Sequence, residues 1–163
     1  MNYFIFQFYS FYFLQLHRKR PYWTLLLKEE NSDDAVGSAI AKAVATLARS
    51  AGDTLPSGAL QKALAEVTAL KGIGPCTASL LLSYLDARVA ASDKMQYLAC
   101  GWPLPLKYNL REVLDFNAQI SEIVKSCCCD GDGGSGKALP LNARDVSRAF
   151  LVLYIESKNG NYD

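Results

Sequence analysis

The sequence carries one histidine, two methionines and two tryptophans, and it lacks an excess of charge of either sign. With His17 alone, a His-rich metal site or a two-histidine catalytic centre cannot be assembled. Lys and Arg number 17 against 16 Asp and Glu, a net charge of +1, which excludes a histone-like polycation and an acidic solvating tail. It leaves room for a nucleic-acid binder whose few cations gather on one face. No disulfide framework is expected, because the five cysteines are odd in number and three of them, Cys127, Cys128 and Cys129, are consecutive. Zinc ligation needs spaced thiolates that converge, and adjacent ones diverge on helix or strand alike. Reduced thiols and an intracellular location are the expectation.

Long hydrophobic runs are also missing. The most apolar stretch, MNYFIFQFYSFYFLQL over residues 1–16, is shorter than the roughly 20 residues a spanning helix needs and is interrupted by Gln7, Ser10 and Gln15. Its basic residues, Arg18, Lys19 and Arg20, follow the apolar run, whereas a signal peptide carries them ahead of it. Two readings stay open for this aromatic extension: a poorly ordered or packing segment, or a membrane or targeting role. A spanning helix is not expected, and no chemistry is assigned to the segment. His17 to Arg20 reads either as a nuclear-import or phosphate-contacting patch or as a charged boundary.

What is present is a large apolar fraction, 50% of residues, enough to bury a core in a single domain over residues 17–163. From Pro21 onward the periodicity is helical. Pro21 opens a helix through Leu25, Leu26 and Leu27, and Asn31 to Asp34 breaks it and caps the next, whose stripe is Ala35, Val36, Ile40, Val44 and Leu47. A turn over Gly52–Ser57 precedes a helix marked by Leu60, Leu64, Val67 and Leu70. Gly72 and Gly74 bracket a tight turn, and a strongly apolar helix follows from Pro75 through Tyr84. Ser92 is the expected N-cap of a short helix to Cys100, ended by Gly101-Trp102-Pro103. Asn109 opens a longer helix through Leu114, Ile120 and Ile123, and Asn142 opens the last, with Val146, Phe150, Leu151, Leu153 and Tyr154. DGDGGSGKALP, residues 130–140, reads as a flexible linker. Strands find no place outside the extension, so the fold class is an all-α bundle of short helices.

The stretch Leu70-Lys71-Gly72-Ile73-Gly74-Pro75-Cys76-Thr77-Ala78, set between two apolar-periodic helices, carries the functional signal. Helix, L-x-G-I-G, helix is a helix-hairpin-helix pattern, spanning about residues 60–86. Glycines at 72 and 74 admit backbone angles that a Cβ forbids, and Ile73 is an apolar pin between the helices. The second helix begins at Pro75, so its first amides and the positive end of its dipole face a candidate phosphate, with Lys71 adding a point charge. Such a contact holds a backbone without reading bases. The alternative is a glycine-rich αα-hairpin that only packs or meets a protein partner.

LKGIGPCTASLLLSYLDARVAASD resembles the helix-hairpin-helix of the DNA glycosylase superfamily, whose members read L-x-G-V/I-G-x-x-T-A and present an aspartate downstream. It is closer still to a set of uncharacterised eukaryotic, especially fungal, proteins reading roughly LKGVGPATASLLLS with SDE after a short spacer. The likeness reaches Arg20-Pro21 and Asn31 upstream and Lys107-Tyr108-Asn109 and Asn142–Val146 downstream. It implies an all-α glycosylase-like fold, a DNA partner held without sequence preference through Lys71, Gly72, Ile73, Gly74 and Thr77, and a nuclear protein of base-excision repair. It also implies a catalytic carboxylate at Asp93, 17 positions after Cys76, that stabilises the cationic sugar or activates the attacking nucleophile as a flipped base departs. Simple N-capping of a helix is the other role open to Asp93.

The departures are as informative. Bifunctional glycosylases carry a lysine nucleophile where the resemblance puts Cys76, so lyase chemistry is not expected. Lys94 stands where the closer relatives have an acid, the chain is short for a two-lobed glycosylase, and no cysteine cluster suits an iron–sulfur site. The alternative function is therefore a non-catalytic helical protein. No cofactor or metal is expected. GDGGSGK over residues 131–137 spells a phosphate-loop string, yet Ala138 stands where the magnesium-holding hydroxyl belongs, and nucleotide binding is set aside. Trp102 and Tyr108 are candidates for base stacking or for plugging the core, and Asp86 and Arg88 for polar surface contacts.

Overall fold

The computed structural model describes residues 31–129 and 141–159. The expected extension over 1–16, the helix at Leu25–Leu27 and the linker over 130–140 lie outside them. Six helices and no strand make up the described residues: α1 (Asp33–Ala48), α2 (Ser57–Thr68), α3 (Pro75–Leu85), α4 (Lys94–Ala99), α5 (Leu110–Cys129) and α6 (Ala143–Asn159). The chain is all-α.

Helices α1, α4, α5 and α6 start where a side chain satisfies an orphan amide. Ser32 Oγ accepts from the Ala35 amide at 3.2 Å, Asn109 Oδ1 from Glu112 at 2.9 Å and Asn142 Oδ1 from Asp145 at 3.0 Å. Pro75 occupies the first turn of α3, where its missing N–H costs nothing. The short helix α4 departs from expectation by one residue. Its N-cap is Asp93, whose Oδ1 accepts from the Met95 amide at 2.8 Å, and Ser92 is buried instead.

Packing also shifts the face of α1. Its buried residues are Ala39, Ala43 and Leu47, spaced by four, while Val44 is exposed. Alanines on that face let α1 lie close to α2, which contributes Leu60, Ala63, Leu64 and Val67 to the same cluster. A valine facing the same neighbour would hold the two axes further apart. Leu70 and Ile73 from the α2–α3 turn, Ala78 and Leu82 from α3, and Val89 and Val113 complete this first core. A second core gathers Ala90 with Tyr97, Phe116, Ile120, Ala143 and Val146 from α4, α5 and α6. Tyr97 packs on Phe116 and Trp102 at ring-centroid distances of 4.8 and 4.9 Å, so Trp102 plugs this core. In α6, Leu153 is exposed together with Val152 and Ile155.

The two cores meet along Val89–Ser92, a non-helical segment that is buried throughout. A buried loop must find partners for its backbone polar groups. Here helix side chains supply them. The Ala90 amide donates to Asn117 Oδ1 at 2.8 Å, the Ala91 amide to Ser147 Oγ at 3.3 Å and the Ser92 amide to Ser79 Oγ at 3.1 Å. Asn117 Nδ2 returns a bond to the Ala90 carbonyl at 3.3 Å. This lacing of small residues delivers the chain to Asp93.

Upstream of it, Asp86 and Arg88 are more than surface contacts. The Arg88 guanidinium donates to the Leu47, Ser50 and Gly52 carbonyls at 3.0, 2.6 and 3.0 Å, closing the C-terminus of α1. Its other edge pairs with Asp86 Oδ2 at 2.7 Å, and both side chains are largely buried, at 20% and 15% exposure. Burial alone would raise the Asp86 carboxyl, but the Arg88 hydrogen bonds and charge outweigh it and hold the group below the usual carboxylate range.

Candidate nucleic-acid interface

The α2–α3 turn is fixed from below and open above. Ile73 is buried in the first core at 7% exposure, and its amide donates to the Leu70 carbonyl at 3.2 Å. Side chain and amide are both committed, so Ile73 anchors the turn and offers no donor outward. Lys71, Gly72 and Gly74 are exposed around it. Gly72 has φ +82°, a left-handed conformation that L side chains rarely adopt, which explains the residue type there. Gly74 is the N-cap of α3 in extended conformation, and a side-chain cap is absent because glycine has none to give.

The donors of this corner can be counted among the described residues. The Lys71 amide donates to Asn31 Oδ1, and the first intrahelical bond of α3 runs from Ala78 to the Gly74 carbonyl. The amides of Gly72, Gly74, Cys76 and Thr77 find no acceptor among the described residues. They sit where the positive end of the α3 dipole adds to their partial charges. Amides at this corner can donate to an anionic oxygen, which accepts from them. Of the five residues singled out for DNA, Lys71, Gly72, Gly74 and Thr77 line this corner and Ile73 holds it in place.

Asp93 is half-buried. One carboxylate oxygen caps α4, and the other accepts no hydrogen bond among the described residues. A set of hydroxyl and thiol groups lies beside it. Ser92 Oγ, Gln96 Oε1 and the Tyr97 hydroxyl are buried without a hydrogen bond of good geometry. Cys76, from the first turn of α3, packs against both cores. Burial pushes its thiol up to about 11; the neighbouring Tyr97 hydroxyl offsets part of that, and Asp93 and Glu112 add to it. A thiol held neutral in this way is a poor nucleophile at neutral pH. Burial likewise raises the Tyr97 phenol, with Cys76 contributing.

Tyr108 stands on the same side, where Cys76, Asp93 and Glu112 all act on its phenol; burial raises it first and these groups add. Its backbone has φ 55°, unusual for an aromatic residue, and the residue is 42% exposed. Glu112 enforces that conformation, accepting from the Lys107 amide at 3.0 Å and the Tyr108 amide at 2.6 Å. Trp102 turns inward while Tyr108 stays out, which separates the two aromatics that the sequence left equivalent.

Among the described residues no three His, Cys, Asp or Glu side chains gather as a metal site would require, and no helix is long and apolar enough to cross a membrane. No protein-family model, curated protein or solved structure matches the chain.

Proposed function

We propose that this chain is a helix-hairpin-helix protein of DNA-glycosylase-like fold that holds a DNA backbone at the α2–α3 turn, without sequence preference. The observation that carries the reading is the group of four amides, Gly72, Gly74, Cys76 and Thr77, that find no acceptor among the described residues, at a corner where Lys71, Gly72 and Gly74 are exposed. A phosphodiester oxygen is the anion that such a corner suits, and the near-neutral net charge sets a low affinity with a shallow salt dependence. A nuclear location goes with this partner.

Catalysis is the second reading, and the Asp93 oxygen that accepts no hydrogen bond among the described residues favours it. Asp93 would stabilise the cationic sugar during removal of a damaged base, with no lyase step because Cys76 replaces the lysine nucleophile and its thiol is held neutral. The rival is a non-enzymatic protein in which Asp93 only caps α4 and the hairpin packs or meets a protein.

Retention on a DNA column at low salt tests the first reading. Lys71→Glu should abolish retention, and a wild-type chain that never binds refutes it. Asp93→Asn should abolish base release from lesion-containing duplexes and leave binding intact; undiminished release in that variant removes Asp93 from the mechanism.

A further inference from the structure

We infer that Asn31 is a positioning residue for the backbone-binding corner, a role that rests on the DNA-binding reading above. Asn31 lies 40 residues before Lys71, yet its side chain closes both main-chain groups of Lys71: Oδ1 accepts from the Lys71 amide at 3.0 Å and Nδ2 donates to the Lys71 carbonyl at 3.0 Å. The pair reproduces what a neighbouring strand would supply, from a single amide side chain. Asn31 is itself located by its neighbour, since Ser32 caps α1. The clamp therefore ties the turn to the start of α1.

Ile73 holds the turn from the core side, and the clamp holds the main chain of Lys71. Among the described residues the only backbone–backbone bond within Leu70–Gly74 is Ile73 to Leu70, and a Cβ placed on Gly72 or Gly74 would meet none of their atoms within 4 Å. Two glycines in open space sample many backbone angles unless something outside them fixes the chain. The Asn31 clamp also removes the Lys71 amide and carbonyl from the exposed corner, so no main-chain carbonyl of Lys71 competes for, or repels, an arriving phosphate. Freezing the turn before binding spares the complex that ordering cost.

The test is fluorescence anisotropy of the full chain with a short labelled DNA duplex across a salt series. Asn31→Ala should weaken binding about tenfold, the equivalent of ordering roughly one backbone residue. The slope of log affinity on log salt should match wild type, because no cation is lost. Lys71→Ala should instead lower that slope by about 0.9, one phosphate contact. Wild-type affinity in a folded Asn31→Ala chain overturns the role of Asn31 alone. So does a loss of affinity that comes with a shallower slope. Wild type that does not bind overturns the DNA reading and this role with it. Hydrogen exchange on the unaltered chain covers the case in which Asn31→Ala does not fold. The exposed Lys71 amide should exchange more slowly than those of Gly72 and Gly74, and equal rates refute the clamp.

Discussion

Replacing Asn117 by alanine removes the side chain that completes the buried segment between the two cores. Asn117 Oδ1 accepts from the Ala90 amide at 2.8 Å, and Nδ2 donates to the carbonyls of Ala90 and Val113 at 3.3 and 2.9 Å. Both Asn117 and Ala90 are buried, so water does not replace what is lost. The Val113 carbonyl lies inside α5 and keeps its helical partner; the Ala90 amide and carbonyl have no partner besides Asn117 among the described residues. Each buried backbone group left unpaired costs about 1–3 kcal/mol, so Asn117→Ala should destabilise by about 3 kcal/mol. For a domain of this size that lowers Tm by about 10 °C. Thermal unfolding followed by circular dichroism measures it, with Glu122→Ala as a control on the same helix. The Glu122–Lys125 pair is exposed and its loss should change Tm hardly at all.

Asn117→Asp sharpens the test. It keeps the acceptor for Ala90 and loses both donors, and at neutral pH it buries a charge. Its folded carboxyl is raised above the unfolded value, so the variant's deficit relative to wild type should shrink as pH falls from 7 toward 4 and the protonated acid donates again. A loss of less than about 1 kcal/mol in Asn117→Ala, or a pH-independent deficit in Asn117→Asp, would refute the claim that side chains stand in for a strand here.

Arg88→Ala should cost about 3 kcal/mol in chemical denaturation, since it uncaps α1 and leaves Asp86 largely buried without its cation. Asp86 is lowered from 3.8, so its stabilising contribution is present above that pH and disappears as the pH falls below it; Arg88→Ala should flatten this acid limb of the wild-type stability curve. Cys76 and Cys100 are both raised from 9.0 to about 11 by burial, so stability intact below pH 9 should decline as pH rises from 9 toward 11. Peptide mapping after brief alkylation at neutral pH should find exposed Cys127 modified ahead of Cys76 and Cys100, and prior labelling of Cys76 would contradict its burial against both cores.

Much of the helical order follows from local rules. Ser32, Asn109 and Asn142 open helices because short polar side chains reach the amides three residues on, and Pro75 fits a first turn by its own geometry. The turn at Gly72 was legible from a local rule too, as a left-handed angle selects glycine. The face of α1 was not legible, since Val44 and Ala43 differ by one position and only the approach of α2 decides which is buried. Asp93 rather than Ser92 caps α4 because Ser79 takes the Ser92 amide and draws that residue inside.

The sequence by itself therefore determined the described helices, the caps at Ser32, Asn109 and Asn142 and the glycine turn, all products of interactions within a few residues of each other. Tertiary structure alone decided the partners that lie far apart in the chain: Asn31 on Lys71, Arg88 on the end of α1, and Asn117, Ser147 and Ser79 on a buried loop. Those polar side chains carry no periodic signature, because what fixes each one is a backbone group that burial has cut off from water, and burial is a property of the folded chain.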